Sequence, residues 1–121
     1  IAPGDAQTNL LLAGKIFFER GTEHARRGEW DEAATLFNEA LQLQRDALGK
    51  DRVECARSLN AVGTALAELG VMFGALEALE EALWIRQRAL GDRDPSVVVV
   101  TNNIELLDRQ RREEDAHEYS V

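Results

Sequence analysis

The residues that most often carry catalysis or bind metals are scarce in this chain. It contains two histidines, His24 and His117, and one cysteine, Cys55. Neither histidine stands at metal-ligand spacing from the cysteine or from a nearby acid, so the sequence predicts no metal site. We interpret Cys55 as a small buried hydrophobe, with a reactive thiol as the alternative. A single cysteine also excludes a disulfide within the chain.

The acidic clusters are the next candidates for chemistry. Glu80 and Glu81 are adjacent, and residues 113–115 are all acidic. Clusters of this kind are more often solvated helix faces than acid/base pairs. The glycine motifs that cradle phosphates or present a nucleophilic serine are absent from the sequence. We therefore predict no enzymatic activity, no catalytic residue and no cofactor.

An internal repeat organises the chain. Segments 17–49 and 59–91 lie 42 residues apart and are identical at 11 of their 33 aligned positions. Glycines at positions 28, 49, 70 and 91 recur every 21 residues, each after a stretch with helical periodicity, which is typical of helix ends. Short connections make successive helices antiparallel. The sequence therefore predicts an all-α fold, an α-solenoid of antiparallel helix hairpins.

The same periodicity predicts five helices. The first four are expected at about 5–27, 30–48, 52–69 and 72–90, with Asp5 as the cap of the first. Asp94 followed by Pro95 predicts the start of the fifth, although the valines that follow favour a strand. The polar segment 108–118 is expected to end the array, either as the tail of the fifth helix or with a short sixth helix.

Two glycines stand inside the predicted helices. Gly21 and Gly63 occupy equivalent positions of the two copies, and glycine in a helix costs about 1 kcal/mol relative to alanine. Close approach of the two helices of a hairpin would offset that cost. The small residues expected opposite them are Ala33, Ala40, Ala75 and Ala82.

These positions carry a resemblance to a known family. The residues Gly21, Gly28, Trp30, Ala33, Phe37, Ala40 and Leu41, with their counterparts Gly63, Gly70, Met72, Ala75, Leu79, Ala82 and Leu83, resemble the tetratricopeptide repeat consensus. The 42-residue period and the segments ALGDRDPSVVVVTNNI and ALGKDRVECARSLNAV narrow the resemblance to the kinesin light chain subtype. Phe73 and Gly74 depart from the pattern, because they replace the acidic pair found as Asp31 and Glu32.

The resemblance covers roughly residues 14–118 and implies about two and a half repeats in one domain, residues 1–121. The repeats are expected at about 8–49 and 52–91, with a partial third at about 94–120. The family also implies a concave groove, lined by the first helix of each hairpin, that binds an extended peptide or a helix of another protein. The groove positions carried over to this chain are Lys15, Phe18, Thr22, Arg26, Arg57, Asn60, Thr64, Glu68, Asn102, Asn103, Leu106 and Arg109.

The residue types at these positions suit protein binding. An asparagine side chain both donates and accepts hydrogen bonds, and can clamp the backbone of an extended peptide. Lys15, Arg26 and Arg57 would favour an acidic partner. The alternative is that all of these positions are ordinary solvated helix faces.

Composition limits the other classes of partner. The net charge of −8, from 22 acids against 14 bases, makes binding to nucleic acid or to an anionic membrane improbable. The apolar runs are far shorter than the ~20 residues that cross a bilayer, so we expect a soluble chain without membrane insertion. The cytoplasm is the expected location, or an organelle interior after removal of a targeting peptide.

Two functions remain open at this point. The first is an adaptor that binds another protein through the concave groove. The second is a small structural subunit held permanently in a larger complex, which would also use convex and end surfaces. Trp84, whose repeat counterpart is Gln42, would either anchor a partner on the convex back or pack across the next hairpin.

Overall fold

The computed structural model describes residues 3–120, with side chains from residue 5 to residue 118. This part of the chain consists of five helices joined by short turns. They are α1 (Pro3–Arg26), α2 (Trp30–Leu48), α3 (Val53–Glu68), α4 (Met72–Leu90) and α5 (Pro95–Ser120). Each helix packs against the next one along the chain, which makes a stack of helix hairpins. The predicted all-α solenoid is confirmed.

At the start of the chain one prediction is wrong, and near its end the structure selects the tail of the fifth helix over a short sixth helix. Asp5 does not cap α1, because the helix already begins at Pro3 and leaves Asp5 in its first turn. Proline is well suited to that position, since its missing N–H has no partner there in any case. No sixth helix forms within the described residues, because α5 continues to Ser120.

Ion pairs within α5 explain its continuation. Arg112 stands where the 21-residue series would place a glycine, so nothing in the backbone ends the helix there. Asp108 lies 2.8 Å from the guanidinium groups of both Arg111 and Arg112, one turn further along. Arg111 also lies 3.7 Å from Asp115. Pairs at these spacings support the helix through its polar half.

The turns inside the two hairpins share one hydrogen-bond pattern, built on Gly28 and Gly70. The Gly28 amide donates to the Ala25 carbonyl at 3.0 Å, and the next amide reaches back to His24 at 2.9 Å. The second hairpin repeats both bonds around Gly70. Both glycines have positive φ, +75° and +80°, a conformation that side chains with a Cβ rarely adopt. The interpretation of these glycines as helix ends is confirmed.

Asp94 begins α5, as predicted. Its carboxylate accepts hydrogen bonds from the Ser96 backbone amide at 2.9 Å and from the Ser96 hydroxyl at 2.6 Å. Its carbonyl accepts from the amides of Val97 and Val98. The two Ser96 bonds favour the ionised carboxylate and hold the pKa of Asp94 below its usual value.

This cap gives a pH-dependent prediction. Because the pKa of Asp94 is lower in the folded than in the unfolded chain, its stabilisation is present above about pH 4 and is lost as the pH falls through the folded-state pKa. We expect Asp94→Ala to lower the melting temperature by a few degrees near neutral pH and by less in strong acid. Thermal circular dichroism of both proteins across the acid range measures this. Asp94→Asn, which caps without a charge, is the control, and an equal loss for Asp94→Ala at every pH would contradict the assignment.

Three clusters of buried side chains hold the stack together. The first joins α2, α3 and α4 and consists of Leu41, Cys55, Ala56, Leu59, Ala78, Ala82 and Ile85. The second joins α4 to α5 and consists of Ala75, Leu79, Val100 and Leu107. The third joins α2 to α3 through Ala33, Phe37 and Ala65, with Phe18 of α1 packed against it. Each interface between successive hairpins thus has its own apolar core.

Cys55 lies in the first cluster and is fully buried, as predicted. Burial raises the pKa of the Cys55 thiol, which keeps it in the neutral form. Its Sγ lies 3.5 Å from the Gly49 carbonyl oxygen, at hydrogen-bond distance for sulfur. The residue therefore packs as a small apolar group at the junction of the two repeats.

Gly21 and Gly63 do lie in tight contact with the facing helix of each hairpin, but their neighbours differ from those predicted. A Cβ added to Gly21 would lie 2.8 Å from the ring of Phe37, and one added to Gly63 would lie 2.8 Å from Cγ of Leu79. An alanine, Ala75, contributes only its carbonyl oxygen, at 3.2 Å from the Gly63 position. The missing Cβ of each glycine therefore leaves the space that a large side chain of the facing helix fills.

Polar contacts also connect the hairpins. The buried Ser58 hydroxyl donates to the side-chain oxygen of Gln44 at 2.8 Å, which ties α3 to α2. Arg45 of α2 forms an ion pair with Glu81 of α4. The Arg45 side chain is only 19% exposed, so this pair is shielded more than a surface pair would be. Together these contacts fix how the second hairpin sits on the first.

Candidate functional site

A groove of about 560 Å³ opens between the C-terminal half of α3, the start of α4 and the middle of α5. Four of the predicted binding residues line it: Thr64, Glu68, Asn103 and Leu106. The floor is apolar and includes Ala67, Met72, Leu79 and Leu107. Van der Waals contact and a small number of polar side chains are therefore available together in one concave surface.

The polar side chains of the groove differ in how many of their hydrogen-bonding groups are already used within the fold. The Thr64 hydroxyl donates to the Asn60 carbonyl at 2.9 Å, which leaves its oxygen free to accept from a ligand. Asn103 is half-buried and Glu68 is exposed. Neither of these two side chains has a hydrogen bond or ion pair within the described part of the chain. Both can therefore bind a ligand without breaking an internal contact.

Phe18 and Arg57 meet at the junction of α1 and α3, where the predicted groove crosses the first hairpin. The Arg57 guanidinium lies 4.3 Å from the centre of the Phe18 ring. Phe18 also packs on Phe37 with ring centres 5.1 Å apart, so it is half-buried and belongs to the core as much as to the surface. Its predicted role as an open groove residue is therefore limited to one ring face, and Arg57 covers it.

Thr22 and Asn60 lie on the same two helices. The Thr22 hydroxyl donates to the Phe18 carbonyl at 3.0 Å. Asn60 is half-buried, and its side-chain oxygen is enclosed without a hydrogen-bond partner among the described residues.

The remaining four predicted residues do not line the groove. Lys15, Asn102 and Arg109 are exposed on α1 and α5. Arg26 is exposed near the end of α1 and lies 3.1 Å from Glu23 of the same helix. The twelve positions therefore divide into four around the groove, four at the junction of α1 and α3, and four on open helix surface.

Charge is distributed unevenly along these helices. The first helix and the start of the third present Lys15, Arg26 and Arg57, whereas the groove itself is bordered by Glu68, Glu113 and Glu114. A ligand running the length of the surface would therefore meet basic side chains first and acidic ones afterwards.

Sequence reasoning missed the contribution of the end of α5. Gln110, Glu113 and Glu114 line the groove, although the acidic run was interpreted as terminal polarity. Residues 103, 106, 110 and 113 follow the i, i+3, i+7, i+10 spacing of one helix face. That spacing places them with Asn103 and Leu106 if segment 108–118 is the tail of the fifth helix, one of the two alternatives that the sequence left open.

Two further properties of the described residues concern metal binding and membrane insertion. Nowhere in residues 3–120 do three or more histidine, cysteine, aspartate or glutamate side chains converge as metal ligands would. Over the same residues, no helix combines the length and the apolar character needed to cross a bilayer.

Comparison with known families adds two matches in sequence. Models of the tetratricopeptide repeat match residues 16–71 and residues 55–96. Both models represent kinesin light chain-like subtypes of the repeat. They overlap in α3 and the turn that follows it, and together they cover α2, α3 and α4 completely. No curated protein sequence matches the chain.

Proposed function

Because the chain belongs to the tetratricopeptide repeat family, whose repeats are generally protein–protein interaction modules, we propose that it is an adaptor that binds a segment of another protein along α1, α3 and α5. The observation that carries this proposal is the groove between α3 and α5. It combines an apolar floor with Asn103 and Glu68, two polar side chains that are not used inside the fold.

The open shape of the groove favours a peptide or a helix over a small metabolite. It is open along one side, and its polar groups stand along its borders. A segment bound there would place an apolar side chain on Met72 and Leu107, while its backbone faces Asn103 and Thr64. Such a segment could extend toward Arg57, whose exposed guanidinium provides basic charge.

Site-specific photocross-linking tests this proposal. A benzoylphenylalanine at position 64 should form an adduct with a partner in an extract of the source cells, and one at position 35 should not. Thr35 is the matched control, because it is exposed on α2 and its hydroxyl donates to the carbonyl four residues earlier, as that of Thr64 does. Equal adducts at both positions would contradict the proposal.

A triple variant, Lys15, Arg57 and Asn60 to Ala, measures the contribution of the first hairpin. We expect recovery of the cross-linked partner to fall at least tenfold, an effect of about 1.4 kcal/mol. The folded chain should lose no more than about 1 kcal/mol, because among the described residues the polar contact removed is the stacking of Arg57 on Phe18. Unchanged recovery would restrict binding to the groove between α3 and α5.

A structural subunit of a larger complex is the second candidate function. The observation that favours it is a set of half-exposed apolar side chains on the first and last helices: Leu12, Ile16, Val98 and Val99. Such side chains are typical of surfaces that are covered permanently. Size-exclusion chromatography of the purified chain separates the two functions, since an adaptor should elute as a monomer and an orphaned subunit should aggregate.

A further inference from the structure

The outer face of α4 differs from its counterpart in the first hairpin, and we define it by Phe73, Glu77, Glu80 and Trp84. These residues follow an i, i+4, i+7, i+11 spacing, so their side chains lie along one line of the helix. All four are exposed, Phe73 by 78% and Trp84 by 45%. Eleven residues of helix separate the two aromatic side chains by about 16 Å along the axis.

The first repeat shows that the fold does not require these aromatics. The equivalent positions of α2 are all polar, and they are Asp31, Thr35, Asn38 and Gln42. They are exposed as well, although the next hairpin already packs against α2. Stacking of hairpins therefore leaves this face open. A tryptophan and a phenylalanine on a face that stacking does not cover indicate a binding surface.

Neighbouring side chains extend and order this surface. In the turn before α4, Leu69 and Val71 are 38% and 48% exposed, where the first repeat has Arg27 and Glu29. At the other end, the Arg88 guanidinium lies 4.6 Å from the centre of the Trp84 ring. That contact holds the ring against the helix, which lowers the entropy lost when a partner covers it.

We propose that the outer face of α4 binds a basic amphipathic helix of another protein. A helix lying along α4 would place two apolar side chains, eleven residues apart, on Phe73 and Trp84. Lysine or arginine side chains between these anchors would reach Glu77 and Glu80. Neither glutamate forms an ion pair with any other described residue. The partner is therefore apolar at both ends of the contact and basic in the middle.

Charge disfavours two other partners for this face, a second copy of the chain and an anionic membrane. If two copies paired antiparallel through α4, Phe73 would meet Trp84 of the second copy, but Glu77 would meet Glu80. A parallel pair would also align carboxylates with carboxylates, which is repulsive. An anionic membrane would be repelled by the same two glutamates. The surface is separate from the groove between α3 and α5, so the proposal stands independently of the proposed function.

Titration calorimetry with designed helical peptides tests this proposal. The basic peptide has about 18 residues, five turns, with leucines at the two anchor positions and lysines between them. The acidic peptide has glutamates in place of those lysines. We expect the parent chain to bind the basic peptide at least tenfold more tightly, and the E77K/E80K variant to reverse the preference. Equal affinities for the two peptides, or an unreversed preference, would overturn the proposal.

A second variant tests the aromatic anchors. F73D/W84Q installs the residues that the first repeat carries at the same positions, so we expect unchanged melting and at least a tenfold loss of affinity for the basic peptide. Retained affinity would overturn the proposal. Sedimentation and vesicle flotation of the parent and this variant address the other occupants. We expect the parent chain to be a monomer that does not bind vesicles. If the parent formed dimers, or bound vesicles of neutral or anionic phospholipid, and F73D/W84Q abolished that association, the proposal would be overturned.

Discussion

Replacing Gly63 by leucine should leave the chain unable to form its second hairpin. A single added Cβ would lie 2.8 Å from Leu79 and 3.2 Å from the Ala75 carbonyl oxygen, and leucine adds three more carbons in the same direction. Leu79 is 1% exposed and packs with Ala75, Val100 and Leu107, so its displacement would disturb the core between α4 and α5. Overpacking by one or two methylenes already costs about 1–3 kcal/mol, and a loss above about 4 kcal/mol is a large part of the stability of a small domain. Circular dichroism should show reduced helix content and no cooperative melting transition.

The next residue along the helix provides the control. Thr64 is exposed, so Thr64→Leu should leave the melting temperature nearly unchanged, and leucine has the better helix propensity. A milder pair of variants tests the contact between position 63 and Leu79. Gly63→Ala and Leu79→Ala should each destabilise, whereas the double variant should lose less than the sum of the two, because the new Cβ occupies vacated space. Simple additivity, or a Gly63→Leu protein that melts like the parent, would contradict the packing argument.

The second large effect is expected at Val100, where Val100→Asp should release α5 from the stack. Val100 is fully buried against Ala75, Leu79 and Leu107. A carboxylate there would be charged and without a partner, which costs about 3–5 kcal/mol in a buried site. The two clusters that join the first hairpin to the second do not include Val100, so we expect both hairpins to stay folded. Hydrogen exchange should show amides of α5 losing protection while those of α2 and α3 keep it.

Val99→Asp is the matched control, because Val99 is the preceding residue and is 53% exposed. It should leave protection in α5 almost intact. Acid should partly restore the Val100→Asp protein, since protonation removes the buried charge. If exchange accelerated equally in all five helices, the chain would unfold as one unit, and the view of successive hairpin interfaces with independent cores would be wrong.

The backbone of this fold was largely predictable because its signals are local. The bounds of α2 and α4 were predicted to the residue from periodicity and from the glycines at 49 and 91. The cap at Asp94 was predictable because an aspartate before a proline satisfies amide groups within its own turn. The repeat also decided that the four valines after Ser96 are helical, against their strand propensity.

The packing partners were not predictable in the same way. The sequence indicated that Gly21 and Gly63 lie at a close approach, but the side chains opposite them depend on how one helix is rotated about its axis. That rotation brings Phe37 and Leu79 onto the glycines and leaves Ala33 and Ala40 elsewhere in the core. Periodicity gives the buried face of a helix, whereas contacts across an interface need the geometry of both helices.

The candidate site was predictable only where it depends on position along a helix, and not where it depends on contacts between helices. Thr64 and Asn103, two of the positions carried over from the repeat pattern, line the groove, because those helices are regular and the register is fixed. The pattern did not show that Phe18 is partly core, since the ring is buried by Phe37 of another helix. It also missed Glu113 and Glu114, because ion pairs rather than apolar periodicity extend α5 to them.

The turns at Gly28 and Gly70 restrict which residues can occupy these two positions. Positive φ is strained for residues of the natural handedness, yet a Cβ built at either glycine would find nothing within 4 Å. The constraint at these two turns is therefore chirality and not volume. A mirror-image alanine, incorporated by chemical synthesis, would adopt the required conformation without strain and would have less freedom than glycine in the unfolded chain. Glycine holds these positions because, among genetically encoded residues, only it is achiral.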